Sequence, residues 1–165
     1  MNDTRLHRLT LQEIDAVCAL ARTVWQATYP ALISQAQIDA MLADRYAAER
    51  IRLQLDDPDH AWWAARQGQA TVGFAHAICD GTRCKLDKLY VDPGHQRQGI
   101  GAALLQVVQD WARQRQGRRL WLQVNRGNTQ AVAAYLKYGF WIIESRVFDI
   151  GHGFVMDDHV MELPL

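Results

Sequence analysis

A single α/β domain over residues 1–165 is predicted by three features: the length of the chain, hydrophobic periods that switch repeatedly between helix and strand spacing, and glycine or proline where those periods break. With 165 residues, 49% hydrophobic and 22% charged, the chain suits a domain that buries its own core. No repeat, low-complexity tract or Pro/Ser-rich linker divides it.

The elements follow in order. Thr4 to Leu9 reads as a short strand, and Ile14, Val17, Cys18, Ala21, Val24 and Trp25 then recur at helical spacing until Tyr29-Pro30. Ser34 is placed to cap a segment carrying Ile38, Met41 and Leu42, followed by another helical stretch toward Leu55 that ends near Pro58. Runs over 61–66, 70–79 and 84–91, separated by Gly68 and Gly81, predict a three-strand meander. After Asp92-Pro93-Gly94, the positions Ile100, Leu104, Val107, Val108 and Trp111 mark a helix that stops by Gly117. A strand over 119–124 follows, and Asn128 opens a helix through Ala131, Val132, Tyr135 and Leu136 that ends at Gly139. Two strands near 141–148 and 154–163 close the chain, giving the order βααβββαβαββ.

Eighteen basic residues balance eighteen acidic ones, so no net field favours nucleic acid or an anionic membrane as the partner. Charged and polar residues interrupt every apolar stretch short of a bilayer span, and Met1-Asn2-Asp3-Thr4-Arg5 lacks a leader core, which places the protein in the cytoplasm. Cys18, Cys79 and Cys84 have no metal-binding spacing, and no metal is expected. They are read as free thiols, although the turn-forming segment 80–83 would set Cys79 opposite Cys84 in a hairpin.

The chemistry concentrates in the strand, loop and helix start that run from Leu89 through Asp92-Pro93-Gly94-His95-Gln96-Arg97-Gln98-Gly99-Ile100-Gly101 to Ala102. Glycines at 99 and 101 let a ligand approach the backbone, and the free amides of a helix N-terminus favour a phosphate there. Ala102-Ala103 follow Gly101 where a P-loop needs Lys and Ser or Thr, and Leu104 stands where a dinucleotide fingerprint needs a third glycine.

Gln96, Gly99 and Gly101 match the Gln/Arg-x-x-Gly-x-Gly/Ala loop of the GNAT acetyltransferases. Asn128, Ala131, Tyr135, Gly139 and Phe140 resemble that family's last motif. The resemblance implies an α/β fold with a mixed, mostly antiparallel sheet of about seven strands flanked by about four helices. It also implies an acyl-CoA-dependent N-acetyltransferase that carries acetyl from acetyl-CoA to a primary amine. On the same resemblance, the amides from Arg97 to Ala102, through Gln98, Gly99, Ile100 and Gly101, hold the pyrophosphate of CoA. The backbone of Leu89, Tyr90 and Val91 pairs with pantetheine, Asn128 touches the pantetheine arm, and a homodimer is expected by analogy.

An alkylamine has a pKa of about 10 and must lose a proton to attack, whereas a thiolate of pKa about 8.5 leaves more readily if protonated. Tyr135 occupies the family position of the acid, with Tyr138 as the alternative. The base is open: Lys85 stands where some members carry glutamate, and Asp87 and His76 are both near. By the same resemblance Trp25, Tyr29, His152, Asp157 and Asp158 fall in the acceptor region, where aromatic walls suit an alkyl chain and acidic groups suit the ammonium of a polyamine. The other tryptophans, at 62, 63, 111, 121 and 141, are assigned to packing. A protein Lys or N-terminal acetyltransferase and a non-catalytic acyl-CoA sensor are the alternative functions.

Overall fold

The computed structural model describes residues 3–165, so Met1 and Asn2 of the opening segment lie outside it. Seven strands form one sheet: β1 (Thr4–Arg8), β2 (His60–Gln67), β3 (Ala70–Asp80), β4 (Arg83–Val91), β5 (Arg119–Asn125), β6 (Trp141–Gly151) and β7 (Phe154–Pro164). Five α-helices accompany them: α1 (Ile14–Thr28), α2 (Gln35–Arg45), α3 (Ala48–Leu55), α4 (Ile100–Gln114) and α5 (Thr129–Lys137). The sheet order is β1-β2-β3-β4-β5-β7-β6. Every neighbouring pair is antiparallel except β4 and β5. The α/β class and the seven-strand mixed sheet are as the sequence predicts.

Both faces of the central strands are buried, which is why β2 reads as an unbroken apolar run rather than an alternating one. Trp62, Ala64 and Phe74 pack toward α1, α2 and α3. Trp63, Ala65 and Ala75 pack toward α4. The N-terminal part of α4 lies so close to the sheet that a Cβ at Gly73 would stand 3.1 Å from the Tyr90 carbonyl oxygen and 3.2 Å from Leu104.

Three expectations are corrected. The two helical stretches read after Ser34 are separate helices, one more than the order βααβββαβαββ counts. Ser34 caps α2 by accepting from the Gln37 amide at 3.1 Å, and the break before α3 comes at Tyr46 and the extended Ala47 without a Gly or Pro to mark it. Cys79 and Cys84 are not free thiols: they face each other across the β3–β4 ladder, Cα atoms 4.1 Å apart, and are joined as a disulfide. Trp141 is not packed inside, since it lies on the edge strand β6 and is 44% exposed. Among the described residues, no helix is long and apolar enough to cross a membrane.

Candidate active site

The parallel pairing of β4 with β5 lasts only from Arg83 to Lys85 against Arg119 to Trp121. Beyond that fork, β4 keeps β3 on one side, Val91 opposite Gly73 and Leu89 opposite Ala75. Its other edge, from Leu86 to Val91, has no strand partner among the described residues. A cavity of about 630 Å³ opens along that edge, bounded by α5, the 95–102 loop and β5. Unpaired backbone donors and acceptors at a strand edge invite an extended partner that adds itself to the sheet.

One end of the cavity is the loop that the sequence singles out. Asp92 begins it, accepting from the Gly94 amide at 3.2 Å and holding His95 Nδ1 at 2.7 Å. Arg97 and Gly99 both have left-handed backbone, φ 62° and 79°. These two turns swing the chain so that α4 starts with its N-terminus toward the cavity. The first helical hydrogen bond is Ala103 N–H to the Gly99 carbonyl at 3.0 Å, which leaves the preceding amides without an intrahelical acceptor. A Cβ at Gly101 would meet Tyr138 at 3.6 Å and Val91 at 3.8 Å, ordinary contacts. The protein therefore has room for a side chain there, and the bare backbone serves whatever approaches from the cavity. Such a cradle fits a pyrophosphate through N–H donors and helix polarity.

Of the residues expected to hold the cosubstrate, Leu89, Tyr90, Val91, Gln96, Arg97, Gly99, Ile100, Gly101, Ala102, Asn128 and Tyr135 all line this cavity. Gln98 does not, and its side chain instead accepts from Gln67 Nε2 at 2.9 Å. Asn128 both caps α5, accepting from the Ala131 amide at 3.3 Å, and faces the cavity. Tyr135 is half-buried beside Phe140, with ring centroids 5.5 Å apart. Burial pushes its pKa up, so the phenol keeps its proton across the neutral range.

A second, smaller chamber of about 60 Å³ adjoins the first at the fork. The two share Tyr29, Asp87, Tyr90 and Gln123. Tyr29 and Tyr90 join hydroxyls at 3.1 Å. Trp25, Tyr29 and Asp158 of the expected acceptor residues line this chamber. Asp157 lines neither space and is exposed, 3.2 Å from Arg126. His152 is also exposed, in the β6–β7 turn. Arg45 of α2 and Gln123 and Asn125 of β5 line the chamber too, and no local motif points to them, because α2 and β5 are far apart in the chain.

A polar cluster backs the chamber. A register shift opposite His76 and Ala77 leaves Asp87 without a ladder partner, so Asp87 and Lys88 join one cluster instead of alternating across the sheet. Asp87 Oδ2 takes hydrogen bonds from Lys88 Nζ at 2.6 Å and His76 Nδ1 at 3.0 Å. Lys85 Nζ lies 3.4 Å from Asp87 Oδ1 and donates to Gln123 Oε1 at 2.8 Å. Because the carboxylate can only accept, His76 carries its proton on Nδ1 and its Nε2 accepts from His60 Nδ1, 2.9 Å away. His76 is fully buried and stacks on Trp62 at 4.4 Å. Burial lowers its pKa to about 4 despite the bond to Asp87. Burial alone would raise the Asp87 carboxyl, yet Lys88, His76 and Lys85 together hold it well below the usual carboxylate range. Asp87 is a neutralised anion and a poor proton acceptor.

Asp158 is its opposite. Only 6% exposed, it has no hydrogen-bond partner for Oδ1. Burial raises its pKa to about 6, against a weaker opposing pull from Arg45.

A family model described as the Acetyltransferase (GNAT) family matches residues 19–140. An uncharacterized N-acetyltransferase of Mycobacterium tuberculosis is 31% identical over 142 residues, covering 86% of this chain and 91% of that protein. The spermidine N(1)-acetyltransferase of Thermoplasma acidophilum is 21% identical over 156 residues, covering 92% and 94%. The crystal structure of the PaiA N-acetyltransferase from Thermoplasma acidophilum, in complex with coenzyme A, shares the fold. It superposes with a TM-score of 0.86 at 20% identity over 99% of both chains.

Proposed function

The chain belongs to the Acetyltransferase (GNAT) family and is an acyl-CoA-dependent N-acetyltransferase; from that premise we propose that it acetylates a primary amine of a small, polyamine-like molecule. The observation that carries this reading is the paired space at the fork. A long cavity ends in an amide-lined loop, and a small aromatic chamber with a buried carboxylate adjoins it. The loop from Gln96 to Ala102 would hold the pyrophosphate of acetyl-CoA, and the open edge of β4 would hold its pantetheine. Trp25 and Tyr29 would wall the acceptor site, and the Asp158 carboxylate favours a cation there over a neutral or anionic acceptor. A spermidine acetyltransferase among the distant relatives points the same way.

Acetyl-CoA supplies the activated acyl group. Tyr135 stands along the cavity and would protonate the departing sulfur, its raised pKa keeping the proton in place until the C–S bond breaks. The test is thiol release with mass analysis of the product over a panel of polyamines, monoamines, amino acids and peptides. N-acetylated polyamine formed faster than any other product supports the reading. Preferential acetylation of peptides would replace it with a protein acetyltransferase.

A further inference from the structure

The small chamber contains a feature that folding alone does not account for. Burying a carboxylate without a partner costs free energy, yet Asp158 is placed on β7 with Oδ1 sealed from solvent and unbonded. The cations nearby, Arg45 and Lys85 among them, offset its burial only in part, and none forms an ion pair with it among the described residues. Lys85 is held by Gln123 and Asp87, Lys88 by Asp87, and Arg45 forms no ion pair among the described residues. Resting on the acetyltransferase reading above, we propose that Asp158 receives the ammonium of the acceptor in this chamber and accepts its proton, delivering the neutral amine to the thioester.

Position and size decide that the nitrogen held here is the reacting one. The loop at 96–102 lies beyond Val91, and the cavity follows β4 back from Val91 to Leu86. An arm anchored at the loop and extended along that edge ends at the fork. There Lys85, Asp87 and Gln123 form the wall of the chamber. A space of about 60 Å³ holds roughly two water-sized groups, enough for an ammonium and its first methylene. The rest of the acceptor must then lie outside the chamber.

The step balances. R–NH3+ gives one proton to the Asp158 carboxylate and becomes R–NH2. Its lone pair forms the C–N bond at the thioester carbonyl, and the C–S electron pair leaves on sulfur, which takes the Tyr135 proton. The Tyr135 phenolate recovers a proton from the acylated nitrogen, and Asp158 returns its own to water, so one proton is released per turnover. The groups that face Asp158 are Trp25 and Tyr29 from α1, Arg45 from α2, Lys85, Asp87 and Tyr90 from β4, and Gln123 and Asn125 from β5. On β7 and β6 it has Asp157 beside it in sequence and Arg146 as its cross-strand partner. Burial is the largest influence on its proton affinity, ahead of Arg45 and Asp157.

The pH profile of kcat/KM for an alkylamine separates this assignment from a structural role. An enzyme that takes the protonated amine and deprotonates it on Asp158 gives an acidic limb near pH 6, where Asp158 titrates, and a plateau from pH 7 to 9. An enzyme that waits for neutral amine from solution gives a tenfold rise per pH unit over that interval. The wild-type profile alone can overturn the proposal by lacking the plateau. Asp158→Asn should convert the plateau to the rising line and lower kcat/KM at pH 7 about a hundredfold, with acetyl-CoA affinity by calorimetry unchanged. Retained affinity also shows that the variant folds. Release of thiol by the wild type together with an unaltered profile in Asp158→Asn sinks this inference alone. Absence of release with every amine sinks the functional reading and this inference together.

Discussion

The two ends of the site are built by different means. At the loop end the ligand-facing groups are backbone amides, set by two left-handed residues and a helix start that occupy seven consecutive positions from Gln96 to Ala102. At the chamber end they are side chains brought together from α1, α2, β4, β5, β6 and β7. A site made of backbone needs particular residues only where conformation demands them, so it leaves a short motif in the sequence. A site made of side chains from six elements leaves none. The loop can also serve one cosubstrate throughout a family, while the chamber is free to change its acceptor.

That contrast can be broken or sharpened by substitution. The largest effect is expected where the two ends meet: Tyr135→Phe should lower kcat about a thousandfold while leaving acetyl-CoA binding intact, read by thiol release and calorimetry. An unchanged kcat would remove Tyr135 from the chemistry. Next, Gly101→Val should weaken acetyl-CoA about a hundredfold by denying approach to charge-assisted N–H donors. A Cβ there makes only ordinary contacts and the position is helical, so melting temperature should hardly move. Weaker binding with a collapsed fold would instead make Gly101 a packing residue.

At the chamber end, beside the loss of kcat/KM expected for Asp158→Asn, two effects fall on stability. Asp87→Asn strips the counter-charge from Lys88, which is only 6% exposed, and should cost about 3 kcal/mol, or roughly 6 to 12 °C of Tm. The smallest and most discriminating effect is that of Asp158→Asn on Tm as a function of pH. Folded Asp158 holds its proton up to about pH 6 whereas the unfolded group loses it near 3.8. The folded state therefore binds more protons between those values, and stability falls as pH rises through them. Removing the carboxylate should leave Tm unchanged at pH 4 and raise it by a few degrees at pH 7.5, roughly the scale of 1 kcal/mol. His76 has the opposite sign. Its folded pKa of about 4 lies below the ordinary imidazole value of about 6.5, so its contribution is lost as pH falls through that interval, and the comparison must be made against wild type at each pH.

How much could be read in advance follows the same division. Gly99, Gly101 and Asn128 are legible because each answers to a local requirement: a left-handed turn, close approach and a helix cap. The meander from β2 to β4 was legible from Gly68 and Gly81, both at positive φ. Hidden were the register shift that puts Asp87 and Lys88 in one cluster, the exposure of Asp157 beside a buried Asp158, and the arrival of Arg45 from α2. Neighbouring aspartates look alike in sequence, and only strand alternation against α1 and α2 separates them. The disulfide is a different case: the hairpin register sets Cys79 against Cys84, and a sequence shows that two cysteines can meet without showing whether they join. Trp141 shows the limit of hydrophobicity as a guide to burial on an edge strand.

The central claim is that the cavity along the open edge of β4 binds acetyl-CoA and passes its acetyl group to an amine. Calorimetric titration with acetyl-CoA, followed in the same samples by thiol release on addition of spermidine, tests it most directly. Saturable binding that Gly101→Val weakens about a hundredfold, and release that depends on the amine, are the expected results. Acetyl-CoA that fails to bind the wild type, or binds it and the Gly101→Val protein equally, would contradict it.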